Sequence, residues 1–298
     1  MSRLRRLLLP LDGSRPAEAA LGLGAFLARR LGAELVLLHV LERRPPERVH
    51  GQPHLRSAPE AQAYLDRVAA RLREQDLKVE THLHAEPEAD VAAAIAAHIR
   101  EQAGDLVVMS THGQGGVRGW ALGSIAQQVV RRGCPVLLVR PEAPAGPPEA
   151  VERVVVPLDG TSTGEAALPM AAAVAAGCGL PVTLITVVPS VRTLQPERRP
   201  VAAFLPGTTA AFLDLEAEAA DQYLKEVSRR LEAEFGLRAA TEVRRGHPAA
   251  ELARVTGRET LLVMATRGRY GLGGLWAGSV SARVVAATRG PVLLVPAP

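Results

Sequence analysis

The stretch "RLLLPLDGSRPAEAALGLGAFLARRLGAELVLLHV" occupies residues 6–40, and a second version, "RVVVPLDGTSTGEAALPMAAAVAAGCGLPVTLITV", occupies residues 153–187. Each version contains an apolar run, a PLDG turn, an alanine-rich helical segment and a second apolar run. An unbroken apolar run is typical of a strand that is buried on both faces. Two such strands joined by a helix form a parallel βαβ unit. The chain therefore begins the same α/β sheet twice.

The repetition extends through a glycine-rich stretch late in each copy. "MSTHGQGGVRGWALGS" at residues 109–124 and "MATRGRYGLGGLWAGS" at residues 264–279 agree at seven of sixteen positions. Between the two copies, residues 140–152 are rich in Pro and Ala and show no periodicity, which is typical of a linker. We therefore predict two tandem domains of one kind, at residues 1–140 and 153–298.

Strand and helix patterns alternate within each copy. In the first copy, strands are predicted near Leu4–Leu9, Glu34–Val40, Lys78–His84, Leu106–Ser110 and Val136–Val139. Helices are predicted at Arg15–Leu31, Pro59–Gln75, Glu88–Gln102 and Ser124–Arg132, and in the second copy at Gly164–Ala176, Leu213–Glu234, Ala249–Thr256 and Ser279–Ala287. This alternation predicts an α/β fold, in which each domain is a doubly wound, Rossmann-like sheet of five parallel strands in the order 3-2-1-4-5, with helices on both faces. Such sheets bind ligands outside the carboxyl ends of their strands.

The composition argues against nucleic-acid and membrane partners. The 298 residues carry a formal net charge of only +4, no block of consecutive Lys and Arg, and 3% aromatic residues, so neither backbone binding nor base stacking is supported. The apolar run within residues 1–14 is too short for a signal peptide. Prolines and glycines interrupt residues 166–191, which predict a buried helix followed by a buried strand. Cys134 and Cys178 lack metal or redox spacing, and we expect a soluble, cytoplasmic protein.

The glycine-rich stretch carries the chain from the fourth predicted strand into a helix. Glycine accepts positive φ and lets backbone amides approach a ligand without a Cβ in the way. Gly123 and Ser124 fall where the helix begins, as do Gly278 and Ser279 in the second copy. Unpaired N–H groups and the helix dipole attract anions at such a point. The spacing alone fits a phosphate-binding loop and a tight connection rich in turn residues equally well.

Over essentially its whole length, the sequence resembles the universal stress protein family in its tandem form. The family's nucleotide signature, Gly-x2-Gly-x9-Gly-Ser/Thr, appears as Ser110-x2-Gly113-x9-Gly123-Ser124 and as Ala265-x2-Gly268-x9-Gly278-Ser279. The nine-residue spacing is kept in both copies, whereas the first glycine is replaced in both, which we expect to be tolerated where φ is negative.

The resemblance also assigns the aspartate of each PLDG turn to the adenosine moiety and the valine that ends the second strand to the adenine. The same aspartates fit a turn or a helix cap, which is compatible with ligand contact. The positions implied as nucleotide contacts are Pro10, Asp12, Val40, Met109, Ser110, Gly113, Gly123, Ser124 and Ile125 in the first copy, and Pro157, Asp159, Val187, Met264, Ala265, Gly268, Gly278, Ser279 and Val280 in the second.

The resemblance implies an adenine nucleotide as the ligand: ATP, or AMP or ADP, with or without Mg²⁺. Signatures of ATP-using enzymes are absent: no Walker Gly-x4-Gly-Lys-Ser/Thr, no Ser-Gly-Gly loop and no His-x-Gly-His. Neither glycine loop has a Lys or a carboxylate to hold Mg²⁺ or to activate water. We expect an ATP-binding regulatory or stress-response protein and not an enzyme, with slow incidental hydrolysis at most. Two alternatives stay open: a scaffold that binds no nucleotide and acts through dimerisation and partner surfaces, and a weak ATPase.

Other polar side chains near the predicted site have two interpretations. His112 and Arg267, at equivalent positions in the glycine loops, fit phosphate contact and solvent exposure alike. The loops after the second strands fit either cationic lids or solvated loops, and they carry Arg43, Arg44, Arg48, Arg192, Arg198 and Arg199. His82 and His84, two positions apart on a strand, are expected to face solvent, and no histidines have metal-ligand spacing.

The two copies end in the same strand, PVLLV, at residues 135–139 and 291–295. In an isolated domain this strand would be an unpaired apolar edge, which favours pairing with another chain. We therefore predict that the two domains pack as an intramolecular pseudo-twofold pair, similar to a homodimer of single domains. Homodimerisation of the whole chain is left open.

Overall fold

The computed structural model describes residues 4–49, 51–111, 123–141, 150–194, 199–267 and 280–297. The first domain contains, in chain order, β1 (Arg6–Pro10), α1 (Arg15–Glu18), α2 (Ala20–Leu31), β2 (Glu34–Glu42), β3 (Arg48–Val49), β4 (Gln52–Pro53), α3 (Ala58–Arg73), β5 (Val79–Glu88), α4 (Val91–Glu101), β6 (Leu106–Ser110), α5 (Ser124–Arg131) and β7 (Val136–Val139). The second domain contains β8 (Arg153–Pro157), α6 (Ser162–Glu165), α7 (Leu168–Cys178), β9 (Val182–Val188), a 3₁₀ turn (Val191–Thr193), α8 (Arg199–Phe204), α9 (Pro206–Phe235), β10 (Ala239–Arg245), α10 (Pro248–Val255), β11 (Thr260–Arg267), α11 (Val280–Ala287) and β12 (Val292–Ala297).

Ten strands form one sheet in the order β10-β9-β8-β11-β12-β7-β6-β1-β2-β5. Within each domain the strands are parallel, and each half repeats the order 3-2-1-4-5 that the sequence predicts. The direction of winding reverses between β1 and β6 in the first domain and between β8 and β11 in the second. Such a reversal opens a crevice at the carboxyl ends of the strands, which is where the predicted site residues lie.

The two domains join through their last strands. β7 and β12 pair antiparallel, with Val292 opposite Leu138 and Leu294 opposite Val136, so the predicted pseudo-twofold pairing is present. On one face of the sheet α2 packs against α7. Gly177 of α7 permits this approach, because a Cβ at that position would lie 2.3 Å from a methyl carbon of the α2 leucine that ends the helix.

The core consists of two apolar layers, one on each face of the sheet, and each layer runs through both domains. Neighbouring residues of β7 belong to different layers: Leu137 packs in one and Leu138 in the other. β12 does the same with Leu293 and Leu294. This alternation explains the unbroken apolar runs of the sequence, because successive side chains of a strand point to opposite faces and both faces are covered.

Two predicted boundaries in the first domain are wrong for a visible reason. β5 extends to Glu88, four residues beyond its predicted end, because the Glu88 carbonyl accepts a hydrogen bond from Arg43 N–H at 2.8 Å. α4 therefore begins at Val91 and not at Glu88, with the Asp90 side chain accepting from Ala93 N–H at 2.9 Å. The predicted helix at residues 15–31 divides at residue 19, where tighter turns separate α1 from α2.

The connections after the second strands contain more structure than the sequence predicts. In the first domain, β3 and β4 pair as a short hairpin. In the second domain, α9 begins at Pro206, seven residues before its predicted start, and is 30 residues long. Across the ranges that the structure describes, no helix has both the length and the apolar character needed to cross a bilayer.

Candidate functional site

The loop after the first strand is built in the same way in both domains. In the first domain, Ser14 N–H donates to Asp12 Oδ1 at 2.9 Å, and Ser14 Oγ caps α1 by accepting from Ala17 N–H at 3.2 Å. In the second, Thr161 N–H donates to Asp159 Oδ1 at 3.1 Å, and Thr161 Oγ1 caps α6. The glycine after each aspartate has positive φ, 86° and 78°. Each aspartate therefore closes a turn through Oδ1, and Oδ2 is not used by that turn.

The second strand of each domain holds the carbonyl group that precedes the aspartate. His39 Nδ1 lies 2.7 Å from Leu11 O in the first domain, and Thr186 Oγ1 donates to Leu158 O at 3.0 Å in the second. The two side chains occupy equivalent positions and make the same contact. Sequence reasoning missed them because an imidazole and a hydroxyl do not resemble each other as residue types. The only available signal was their shared position directly before the predicted adenine-contacting valine.

The predicted contacts at the fourth strand lie at the same end of the sheet. Met109 and Ser110 are buried at the carboxyl end of β6, and Met264 is buried within β11, three residues before that strand ends. Neither Ser110 nor Ala265 has a positive φ. The side chains that replace the first glycine of the signature are therefore accommodated without backbone strain.

The predicted phosphate-binding end of α5 begins with Gly123, whose carbonyl accepts from Gln127 N–H at 3.0 Å. Gly123 is the N-cap residue, and Ser124 is the first residue of the helix and is exposed. Ile125 and Val280, in the first turns of α5 and α11, are 38% and 46% exposed. The first turn of an α-helix leaves its N–H groups without intrahelical partners, so this end is available to an anion. The predicted contacts Gly113, Gly268, Gly278 and Ser279, and also His112, lie outside the described residues.

Adjacent parallel strands bring these residues together. Because β6, β1 and β2 are neighbours in the sheet, Ser110, Asp12 and Val40 lie close together near the carboxyl ends of these three strands. The second domain repeats the arrangement at the ends of β11, β8 and β9. Pro10 and Pro157, the last residues of β1 and β8, are half-buried at these edges.

A cavity of about 220 Å³ lies beside the predicted adenine contact of the second domain. Its walls are Val187, Pro189, Thr193, Leu194, Gly246, His247 and Pro248. Ligand pockets usually measure about 300–1,000 Å³, so this volume suits a single ring system better than a whole nucleotide. A larger cavity of about 490 Å³ lies between α2 and α3 on the outer face of the first domain. It contains none of the predicted site residues.

At two positions near these strand ends, the first domain has titratable side chains where the second has uncharged ones. His54 is 3% exposed, its Nε2 lies 3.4 Å from Glu42 Oε1, and its ring centroid lies 6.2 Å from that of His39. The Glu42 carboxylate raises the pKa of His54, whereas burial lowers the pKa of His39. Thr186 and Pro189 stand at the positions equivalent to His39 and Glu42. The described residues at these two equivalent places therefore differ in their ability to carry charge.

A repeated contact that sequence reasoning missed ties the first helix of each domain to a later one. Glu18 accepts a hydrogen bond from Tyr64 OH at 3.1 Å and from Arg71 Nη2 at 3.0 Å. In the second domain the same contacts, at 2.9 Å each, join Glu165, Tyr223 and Arg230. Burial, together with the glutamate, raises the pKa of both tyrosines. The available signal was the glutamate, which recurs in the "EAAL" segment of both copies.

The expectation that His82 and His84 face solvent is wrong. His98 of α4 lies against both: its Nε2 is 2.9 Å from His84 Nδ1, and its ring centroid is 4.5 Å from that of His82. Helix α4 covers this face of the edge strand β5, which the strand pattern alone does not reveal. Within the described ranges, no group of three or more His, Cys, Asp or Glu residues is arranged to hold a metal ion.

Both halves of the chain match one protein family. The model described as Universal stress protein family matches residues 3–140 and again residues 150–296. A universal stress protein of Mycobacterium tuberculosis is 27% identical over 191 residues, which make up 64% of this chain and 61% of that protein. The chain thus matches about three fifths of the length of this relative. A universal stress protein of Thermus aquaticus is 34% identical over 145 residues, 46% of this chain and 98% of that protein.

Solved structures share the arrangement of the whole chain. A universal stress protein from Archaeoglobus fulgidus superposes with a TM-score of 0.69 at 18% identity, and the match covers 99% of each chain. At this identity the similarity shows the fold. The fold that is shared includes both doubly wound domains, because almost no part of either chain is left out.

Proposed function

The chain belongs to the universal stress protein family, and from this premise we propose that it is a regulatory protein that binds adenine nucleotides, ATP above all, in both domains. The observation that carries the proposal is the meeting of Asp12, Val40 and Ser110 at one edge of the sheet. The equivalent residues of the second domain meet in the same way. This edge is where doubly wound sheets bind their ligands.

The described residues fit the three parts of a nucleotide. The Oδ2 atom of Asp12 or Asp159 would accept from a ribose hydroxyl, since the turn uses only Oδ1. The cavity beside Val187 has the size of a base. The first turn of α5 at Gly123 offers N–H groups to phosphate. Any Mg²⁺ would be held mainly by the phosphates, which is usual for this ion.

We propose binding without efficient catalysis. Hydrolysis of a phosphoanhydride requires a group that orients or deprotonates water and cations that balance the developing charge. The glycine loops contain neither Lys nor a carboxylate. Nucleotide occupancy, and not turnover, would then determine which conformation or partner the protein selects.

A cytoplasmic location belongs to the same proposal. Cys134 and Cys178 are buried free thiols, as is usual for reduced proteins of the cytosol. Burial raises the pKa of both thiols, that of Cys178 to about 11, so the reactive thiolate form is disfavoured in each.

A second candidate function, a scaffold that acts through partner surfaces, is favoured by an apolar patch in the second domain. The side chain of Phe204 is 88% exposed, and Val191, Leu205, Phe212 and Leu215 are each about half exposed or more. Exposed apolar groups in such density often mark an interaction surface. The patch lies in the segment between β9 and the middle of α9, close in sequence to the proposed nucleotide site.

Calorimetric titration of the nucleotide-stripped chain with ATP tests the proposal. Two binding sites per chain, with much weaker binding of GTP, would support an adenine-specific regulatory protein. An absence of heat at millimolar ATP would reject it and leave the scaffold as the better interpretation. Phosphorus analysis of the protein as purified, before stripping, would show how many nucleotides it carries.

A further inference from the structure

A segment of the first domain, Gln52 to Leu55, lies across the loop that carries Asp12; it is called the cover segment below. At one end, Gln52 Oε1 accepts a hydrogen bond from Arg15 N–H at 3.0 Å. At the other, Leu55 is 7% exposed and lies so close to Gly13 that a Cβ there would be 2.9 Å from Leu55 Cγ. The side chain of Leu55, which is distant in sequence, therefore covers the turn around Asp12.

The equivalent loop of the second domain is bare within the described part of the chain. Asp159 and Gly160 are exposed, whereas Asp12 is half-buried. A Cβ at Gly160 would have no heavy atom within 4 Å. Val187 lines an open cavity, whereas its counterpart Val40 is only 6% exposed. Both loops have the backbone hydrogen bond to the aspartate and the capped helix, and the second adds a bond from Thr161 Oγ1 to Asp159 Oδ1 at 2.6 Å. The cover segment is the larger difference between them, because it buries the first loop.

His54 fixes the cover segment to the strand beneath it. The imidazole is buried, and neither ring nitrogen has a hydrogen-bond partner of good geometry in the described structure. Its attraction to Glu42 at 3.4 Å is therefore its main polar stabilisation. Two other titratable groups face His54. The charge of Asp12 also favours protonated His54, whereas burial lowers the pKa of His39 and so favours the neutral form of His39.

We propose that the cover segment is a protonation-dependent gate on the nucleotide site of the first domain, held shut by the His54–Glu42 pair, while the described residues of the second domain form no such gate. The inference rests on the proposed function, since it concerns access to the same two sites. Because Glu42 raises the pKa of His54, the closed form gains stability below the ordinary histidine pKa. It loses that stability as the pH rises through the higher pKa of the closed form. ATP would then fill the second domain first, and the first domain would bind it more tightly as the pH rises.

The first test is calorimetric titration of the nucleotide-stripped full chain with ATP. It should resolve a stronger and a weaker site, with Asp159→Ala weakening the stronger site and Asp12→Ala the weaker one. Leu55→Ala shortens the side chain over Gly13 and should tighten the weaker site about tenfold, by raising the open fraction, while leaving the stronger site unchanged. Weaker binding in Leu55→Ala would overturn the proposal, because Leu55 would then be part of the site and not its cover.

The second test measures how the ATP affinity of the weaker site depends on pH. The site of the second domain is the internal reference, because protonation of ATP itself affects both sites. Raising the pH from about 6 to about 8 should tighten the weaker site several-fold in the wild type. His54→Gln and Glu42→Gln should remove most of this dependence. His39→Thr, which places the second domain's residue on the same carbonyl, should retain it. Equal pH dependence in the wild type and in both glutamine variants would overturn the gate.

A third measurement needs no nucleotide. His54 N–H donates to Glu47 O at 3.2 Å, so hydrogen exchange of this amide reports whether the cover segment is closed. At about pH 6, Glu42→Gln should speed its exchange about tenfold relative to the wild type. Equal rates would overturn the gate even if ATP binds. A failure of ATP to bind Leu55→Ala at either site would instead overturn the proposed function.

Discussion

Leu137 of β7 and Leu293 of β12, the middle pair of the three that join these strands, lie opposite each other across the junction of the two domains. They hold the same position in the two PVLLV strands, so the local twofold relationship passes between them. Both are completely buried and belong to the same apolar layer. The junction is therefore an interface between equivalent strands, as in a symmetric dimer, contained within one chain.

The junction predicts the behaviour of separated halves. Residues 1–140 and 153–298, expressed as two chains, each expose a strand that is buried in the intact protein. Because unpaired apolar edges favour strand pairing, we expect each half alone to dimerise or aggregate and the mixture to form one-to-one pairs. Light scattering after size-exclusion chromatography measures the masses. A half that stays monomeric at high concentration would contradict the prediction. Leu137→Lys in the first half should reduce pairing, because it places a charge at the centre of the junction.

Gly123→Val should remove one nucleotide site and leave the fold intact. The backbone there has φ −53° and ψ 143°, which a β-branched residue adopts without strain. The new side chain would stand where phosphates approach the start of α5. Calorimetry should show the number of ATP sites falling from two to one. Gly278→Val is the matched control, since it should remove the other site, and the double variant should bind no ATP. Two intact sites in the double variant would contradict the assignment.

Asp12→Ala and Asp159→Ala should weaken binding of ATP to their own domains by about 1–3 kcal/mol, the usual cost of losing a hydrogen bond to a polar group. The cap residues Ser14 and Thr161 remain in both variants, so the helices should still begin normally. Titration with ATP measures the affinity, and thermal melting without nucleotide separates it from stability. Asp66→Ala, an exposed aspartate on α3, is the control and should change neither quantity.

ATP turnover should stay below about one per minute, against about ten per second for a typical enzyme. The reason is that the glycine loops contain no group that activates water or holds Mg²⁺. A phosphate-release assay on the stripped protein, with and without Mg²⁺, measures the rate. Several turnovers per second that disappear in Gly123→Val or Gly278→Val would place the protein among the enzymes.

Acid should weaken the edge of the sheet at β5 through His98. Burial and the neighbouring His82 lower the pKa of His98 below its ordinary value of 6.5. The stabilisation that neutral His98 provides is therefore fully present above that value and is lost as the pH falls through the lower pKa of the folded state. The free energy of unfolding, measured with urea from about pH 8 to about pH 5, should fall less steeply in His98→Leu than in the wild type. His247→Gln, in the second domain, is the control and should keep the wild-type slope.

The sequence predicts the sheet well because its strands are set by local patterns. The apolar runs of β1 and β8, and the repetition of the PLDG turn, identify the parallel order and the edge where Asp12 and Asp159 lie. The pairing of β7 with β12 follows equally from one repeated strand. These features depend on residues close together in the chain, which pattern reasoning detects.

What the sequence does not reveal depends on contacts between distant segments. Leu55 reaches Gly13 across 42 positions of sequence, and no periodicity signals such a contact. His98 covers the histidines of β5 only because a helix returns over that strand. His39 and Thr186 have matching roles because each contacts the equivalent carbonyl of its own domain. A comparison of residue types does not detect this match.

The antiparallel junction determines on which sides of the molecule the two proposed sites are accessible to partners. Since β7 and β12 run in opposite directions, all strands of one half point against those of the other, and their carboxyl ends emerge from opposite margins of the sheet. The two proposed nucleotide sites therefore lie at opposite margins of the sheet. If both sites bind nucleotide, a small partner at one margin would not contact the nucleotide at the other. Two different partners could then each contact one proposed site at the same time.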